Sequence, residues 1–155
     1  MSEINWCKKQ KKGLEIIETN ENMSKSYLEM AEKTIKELLN VKTNIWRSSM
    51  IYYSYYYCIY SVMMRIGIKC EIHSCSIEFM KKYLKDFYSE EEINLIESAF
   101  EIRNSAQYYP EREIPNPKLE RLNKKIGGFF SKTKDILVKI TESEINKIRD
   151  NFVNE

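Results

Sequence analysis

The chain has 155 residues, 43% hydrophobic and 31% charged, with a net charge of +2, four Gly, three Pro, eleven Tyr and a single His. That length supports one domain, residues 1–155, with a full core, which excludes a disordered tail protein. Four glycines leave no room for a dinucleotide fingerprint or a phosphate-binding Gly loop, and one His excludes a histidine-rich metal site.

The opening MSEINWCKKQ lacks the apolar segment of a signal peptide, so a cytoplasmic protein is expected. In that compartment Cys7, Cys58, Cys70 and Cys75 are expected as reduced thiols, with Cys70 and Cys75 the pair that would join in a hyperthermophile. Residues 1–22 form an N-terminal lead segment carrying Lys8, Lys9, Lys11 and Lys12. The first long helix is predicted from about Met23 to Asn40, with Tyr27, Leu28, Ala31, Ile35, Leu38 and Leu39 on one face.

The second helix spans about Thr43 to Ile66 and ends at Gly67, the residue type that most readily closes a helix in the left-handed conformation. Its uncharged run, Ser48 to Met64, approaches the length of a membrane span, but ten of those 17 residues carry hydroxyls, six of them tyrosines. Tyrosine belongs at membrane interfaces and not in the hydrocarbon centre, so no membrane partner is expected. Trp46, Met50, Tyr53, Tyr57, Tyr60 and Met64 form a bulky stripe; Ser54, Cys58 and Ser61 form a small one that lets another helix approach closely. A helix with so little charge is either central, or a subunit interface, or both.

A connector from Gly67 to Ser74 leads to a third helix carrying Ile77, Met80, Leu84 and Phe87. The fourth opens on the capping box Ser89-x-x-Glu92, runs to about Tyr109 and is stopped by Pro110. Pro110 to Pro117 is a loop, after which Asn116-Pro117 reads as N-cap and first residue of a fifth helix. Gly127-Gly128 is expected to bend or interrupt it before Phe129 to Ile140. Thr141-x-x-Glu144 caps a last helix over 141–155. The fold class is therefore all-α: an antiparallel helical bundle of five to six helices.

Three features carry candidate chemistry. On the fourth helix the apolar stripe Ile93, Ile96, Phe100 turns polar at Arg103 and Gln107, placing a guanidinium where a core residue is expected. Such an Arg requires a carboxylate, a carbonyl or an anion, unless only its stem lies on the core. His73 is the lone imidazole. With Cys70 and Cys75 it fits no standard zinc spacing, and no metal or cofactor is implied. Lys118, Arg121, Lys125 and Lys132 share one helical face and make a stripe able to track phosphates.

Four pieces between Tyr27 and Tyr109 carry a family resemblance. They are Tyr27-Leu28-x-x-Ala31, Tyr52-Tyr53-Ser54-x-Tyr56, Gly67 followed by His73 and Phe79, and Arg103-x-x-Ala106-x-Tyr108. In that order and spacing the chain resembles the HEPN domain family. The resemblance implies a small antiparallel bundle, a homodimer, and a minimal nucleotidyltransferase as partner. In ribonuclease members an Arg with a polar neighbour stabilises phosphate charge, and a His four to six residues later transfers a proton. Arg103 and Asn104 match that pattern, but position 108 is Tyr, whose unperturbed pKa near 10 makes it a poor general base. The chain thus resembles the branch whose motif ends in Tyr. The tyrosine adenylylated in toxin members falls on Pro110 here, so that modification does not carry over.

The expected function is a nucleotide- or RNA-binding accessory protein acting with a nucleotidyltransferase, as in a toxin–antitoxin pair. Arg103, Asn104, Gln107, Lys118, Arg121 and Lys125 are the binding candidates. One alternative is a metal-independent ribonuclease in which His73 serves with Arg103. The other is an oligomerisation module whose Arg103 sits in a structural ion pair.

Overall fold

The structure is a computed structural model that describes residues 2–155. The described chain is 76% helical. In order it forms α1 (Glu3–Lys9), β1 (Glu15–Ile16), α2 (Glu21–Glu37), a 3-10 turn (Leu38–Asn40), α3 (Asn44–Ile66), β2 (Ile68–Lys69), α4 (His73–Tyr83), α5 (Glu90–Tyr108), α6 (Asn116–Lys139) and α7 (Glu142–Asn154). No helix among the described residues is long and apolar enough to cross a membrane.

Local chemistry sets the helix limits. Asn20 Oδ1 accepts from Met23 N at 2.9 Å to open α2, and both predicted capping boxes are formed, at Ser89/Glu92 and Thr141/Glu144. Gly67 closes α3 at φ 88° and ψ 44°. It is followed at once by β2, which pairs antiparallel with β1 through Ile16–Ile68 and Glu15–Lys69.

α3 is the centre of the bundle, flanked by α2, α5 and α6. From Ile51 to Ile66 nearly every side chain is buried, and its inward tyrosines bring partners for their hydroxyls. Tyr55 Oη donates to Leu122 O at 2.6 Å, and Tyr60 Oη accepts from Cys70 N at 3.1 Å. A tyrosine-rich core helix is tolerable where these hydroxyls are paired, since an unpaired buried hydroxyl would cost its full desolvation. The small stripe Ser54, Cys58 and Ser61 is fully covered, with the Cys58 thiol against Thr133 of α6 and its pKa pushed up to about 12 by burial.

Several expectations need correction. The four cysteines are not all reduced, and Cys70 does not pair with Cys75: Cys7 and Cys75 form a disulfide across a Cα–Cα distance of 5.7 Å, leaving Cys58 and Cys70 as buried thiols. The pairing was illegible because it needs α1, a helix hidden in the basic lead segment, whose Ile4 and Cys7 face inward. With α1 the described residues hold seven α-helices, one more than expected. The first long helix tightens into a 3-10 turn at Leu38, which leaves Leu39 92% exposed and off the predicted core face. α4 ends at Tyr83, so Leu84 is its cap and Phe87 lies in the following turn.

Gly127-Gly128 does not interrupt α6, which runs straight through it. About three turns of helix on either side, with Leu122, Ile126 and Phe129 anchored in the core, outweigh the roughly 1 kcal/mol that each glycine costs relative to alanine. A Cβ at either position would meet no atom within 4 Å. Gly127→Ala and Gly128→Ala should therefore each stabilise the fold by about 1 kcal/mol. Together they should raise the melting temperature by roughly 4–8 °C; a lowered melting temperature would refute this.

Candidate functional site

Three helices converge on one polar–aromatic cluster. α3 supplies Tyr52 and Tyr56, one turn apart, with Tyr53 beside them; α4 begins with His73; α5 contributes Phe100, Arg103 and Gln107 at helical spacing. Tyr52 is fully buried, and its Oη lies 2.7 Å from His73 Nδ1. The imidazole stacks on Tyr56 with centroids 4.2 Å apart and planes 2° apart, and meets Tyr53 edge-on at 5.9 Å.

Arg103 approaches the same tyrosine. Its Cζ lies 4.7 Å from the Tyr52 ring centroid, 5.5 Å from Phe100 and 5.9 Å from Tyr53. One terminal nitrogen donates to Gln107 Oε1 at 3.0 Å, while Nε is buried with no hydrogen-bond partner. No carboxylate pairs with Arg103 among the described residues. A planar guanidinium suits this shelf, since it lies flat on aromatic faces and keeps its edge donors for an anion. The interruption of the Phe100 stripe at Arg103 thus has a physical cause: stacking replaces apolar burial.

The electrostatics follow from the same contacts. Burial, and secondarily the Arg103 charge, hold the His73 pKa below its usual value, so the imidazole is neutral at pH 7. Burial raises the Tyr52 pKa, partly offset by Arg103, so the phenol keeps its proton. With Oη donating to Nδ1, the imidazole proton is assigned to Nε2. Because the folded pKa of His73 lies below its unfolded value near 6.5, this contribution to stability is present above that value and is lost as pH falls toward the folded pKa. Urea midpoints should fall between pH 7.5 and 5.5 by more in the wild type than in His73→Gln; equal slopes would contradict the assignment.

The other sequence candidates are placed elsewhere. Asn104 is half-buried beside Arg103. Tyr108, five residues and about 140° further round α5, is 65% exposed and makes no aromatic or hydrogen-bonded contact with Arg103. Lys118 lines a 180 Å³ cleft with Glu101 and Ser105, on the side of α5 opposite Arg103. Arg121 and Lys125 share Glu91 at 3.3 and 3.7 Å, and Lys132 pairs with Glu92 at 3.4 Å. Most of the basic stripe is therefore matched by the acidic first turn of α5. Cys75 is in the disulfide, Cys70 Sγ donates to Ile72 O at 3.2 Å and His73 Nδ1 is engaged by Tyr52, so these three do not form a ligand set; no metal-ligating cluster occurs among the described residues.

Sequence reasoning did not assign roles to Tyr52 and Tyr56 as the partners of His73. They entered the sequence reading as part of the Tyr52-Tyr53-Ser54-x-Tyr56 resemblance and as helix packing, with no contact to His73 implied.

The chain is similar to a protein of Methanocaldococcus jannaschii named "Putative toxin MJ0142", with 29% identity over 119 residues that span 72% of this chain and 79% of the relative. The aligned region covers most of both chains. No family model and no solved structure matches the chain.

Proposed function

We propose that the protein is a toxin-like helical bundle whose Arg103–Tyr52–His73 cluster binds a phosphate-bearing ligand, an RNA or a nucleotide. The observation that carries this reading is the unpaired Arg103: a guanidinium with no carboxylate and a buried, partnerless Nε, held on an aromatic shelf. The structural ion-pair alternative required an acidic partner, and this geometry removes its support. The resemblance to the HEPN family and the toxin-named relative point the same way, with a minimal nucleotidyltransferase as the proposed partner in the cytoplasm and Asn104 and Gln107 as flanking donors. Beside the cluster, α3 leaves Trp46 66% exposed, with Met50, Tyr53 and Tyr57 half-buried on the same face. This apolar face is the proposed homodimer contact, and it would enclose Arg103 in a cleft.

Binding of labelled single-stranded RNA and of nucleotides, followed by anisotropy at low and high salt, tests the reading. A charged hydrogen bond to phosphate is worth about 1.5–3 kcal/mol. Arg103→Ala should therefore weaken binding roughly 10- to 150-fold while leaving the circular dichroism unchanged. Absence of salt-sensitive binding in the wild type would overturn the proposal.

A second reading, RNA cleavage, is favoured by the neutral imidazole that shares Tyr52 with Arg103. His73 would then supply the proton transfer that Tyr108 cannot, in the other tautomer, with Nδ1–H donating to Tyr52 Oη and Nε2 free to accept a proton. It predicts cleavage that is lost in His73→Ala and declines as pH falls below the neutral range; undiminished cleavage by that variant removes it.

A further inference from the structure

Away from this cluster, α2 and α6 flank a surface cleft of 430 Å³ lined by Ser24, Lys25 and Leu28 on one side and Lys134, Leu137 and Val138 on the other. Arg65 of α3 and Glu21 of α2 form one end, where Arg65 is held by Glu21 and Glu142 at 3.5 and 3.1 Å. Leu28 and Leu137 are half-buried in the cleft, and Val138 beside them is 83% exposed. On α6 Lys125, Lys132 and Lys139 each pair with a carboxylate, whereas Lys118, Lys124 and Lys134 pair with none among the described residues, and neither does Lys25 of α2; Lys134 Nζ lies over the Phe130 ring at 5.4 Å.

We infer that this α2–α6 groove is the docking site for an acidic amphipathic helix of a partner protein. The occupant is chosen by charge complementarity. Two uncompensated lysines facing each other across an aliphatic floor fit a helix with leucine-type side chains on one face and carboxylates along both edges, the helix-in-groove mode of recognition. A nucleic acid would find only two free cations and an apolar floor, and a basic segment would face three cations, Lys25, Arg65 and Lys134, against Glu21 alone.

The α6 glycines fit the same geometry. At 100° per residue, Gly127, Lys134 and Val138 lie within about 40° of one another on α6, while Lys118, Arg121 and Lys125 lie on the opposite flank. Gly127 has an ordinary negative φ and an empty Cβ position, so nothing within the chain requires glycine there. A partner helix continuing along the groove would approach α6 closely at that point.

A synthetic helical peptide of about 18 residues, with leucines on one face and glutamates flanking them, is titrated against the whole protein by anisotropy, alongside the same peptide carrying lysine for glutamate. The acidic peptide should bind at least 10-fold more tightly than the lysine form, and Val138→Glu and Lys134→Glu should each weaken it at least 10-fold. Gly127→Leu should keep the fold, with helix content unchanged or raised, yet lose binding by a similar factor. Equal binding of the two peptides, no binding of either, or undiminished binding to Val138→Glu or Gly127→Leu overturns the inference. None of these variants touches Arg103, so RNA or nucleotide binding stays at the wild-type level and the two proposals fail separately.

Discussion

Removing the Cys7–Cys75 bond should destabilise the protein by roughly 4 kcal/mol, the chain-entropy value for a loop closed over a sequence separation of 68 residues. For a chain of this size that corresponds to a melting temperature lower by roughly 8–16 °C. The bond joins α1 to the first turns of α4, and both sulfurs are buried, so serine substitutions should reproduce the effect of reductant without large repacking. The remaining thiols allow an internal check. Cys58 and Cys70 are buried with raised pKa values, hence poorly nucleophilic in the folded state. The oxidised native protein should take up no alkylating reagent, and the urea-unfolded oxidised protein should take up two equivalents. An unchanged urea midpoint in reductant, or four alkylated cysteines without reductant, would disprove the pairing.

Gly67→Ala should cost on the order of 4 kcal/mol. At φ 88° a non-glycine residue carries about 1–2 kcal/mol of backbone strain. Crowding costs more than strain: the new Cβ would stand 2.2 Å from an Arg149 nitrogen and 2.6 Å from the Ile17 carbonyl. That Arg149 nitrogen donates to Ile17 O at 2.7 Å, Ile66 O at 2.9 Å and Gly67 O at 3.2 Å, satisfying carbonyls at the α3 C-terminus where a cation is favoured. Displacing it sacrifices charged hydrogen bonds worth about 1.5–3 kcal/mol. Urea unfolding of Gly67→Ala beside Gly67→Asn separates strain from crowding, because asparagine tolerates the left-handed conformation but still brings a Cβ. Asn should recover less than half of the loss; full recovery would mean that the contact with Arg149 is unimportant.

What could be read from the chain depended on how local the signal was. Capping boxes, the Gly67 stop and the 3.6-residue periodicity act within a turn or two, and α2, α3, α5 and α7 appear where those signals place them. The continuity of α6 was missed because a local penalty at Gly127-Gly128 competes with core anchors on both sides, and only the packed helix shows which prevails. The disulfide and the two-residue ribbon join segments more than fifty residues apart, for which periodicity carries no information. At the candidate site, the polar break at Arg103 and the solitary His73 were visible individually. That both lie on Tyr52 depends on how α3, α4 and α5 are juxtaposed, and no spacing along the chain encodes it.

The ribbon and α1 impose an order on synthesis. Ile4, Cys7 and Leu14 are buried, and their segment is fastened by Cys75 and by β2, which are translated roughly 50 to 70 residues later. At roughly 5–20 residues per second the nascent N-terminal segment waits several seconds on the ribosome with its apolar side chains uncovered. During that interval it is open to proteases and chaperones, although in the finished molecule the same segment is tied down by the disulfide and by the β1–β2 pairing.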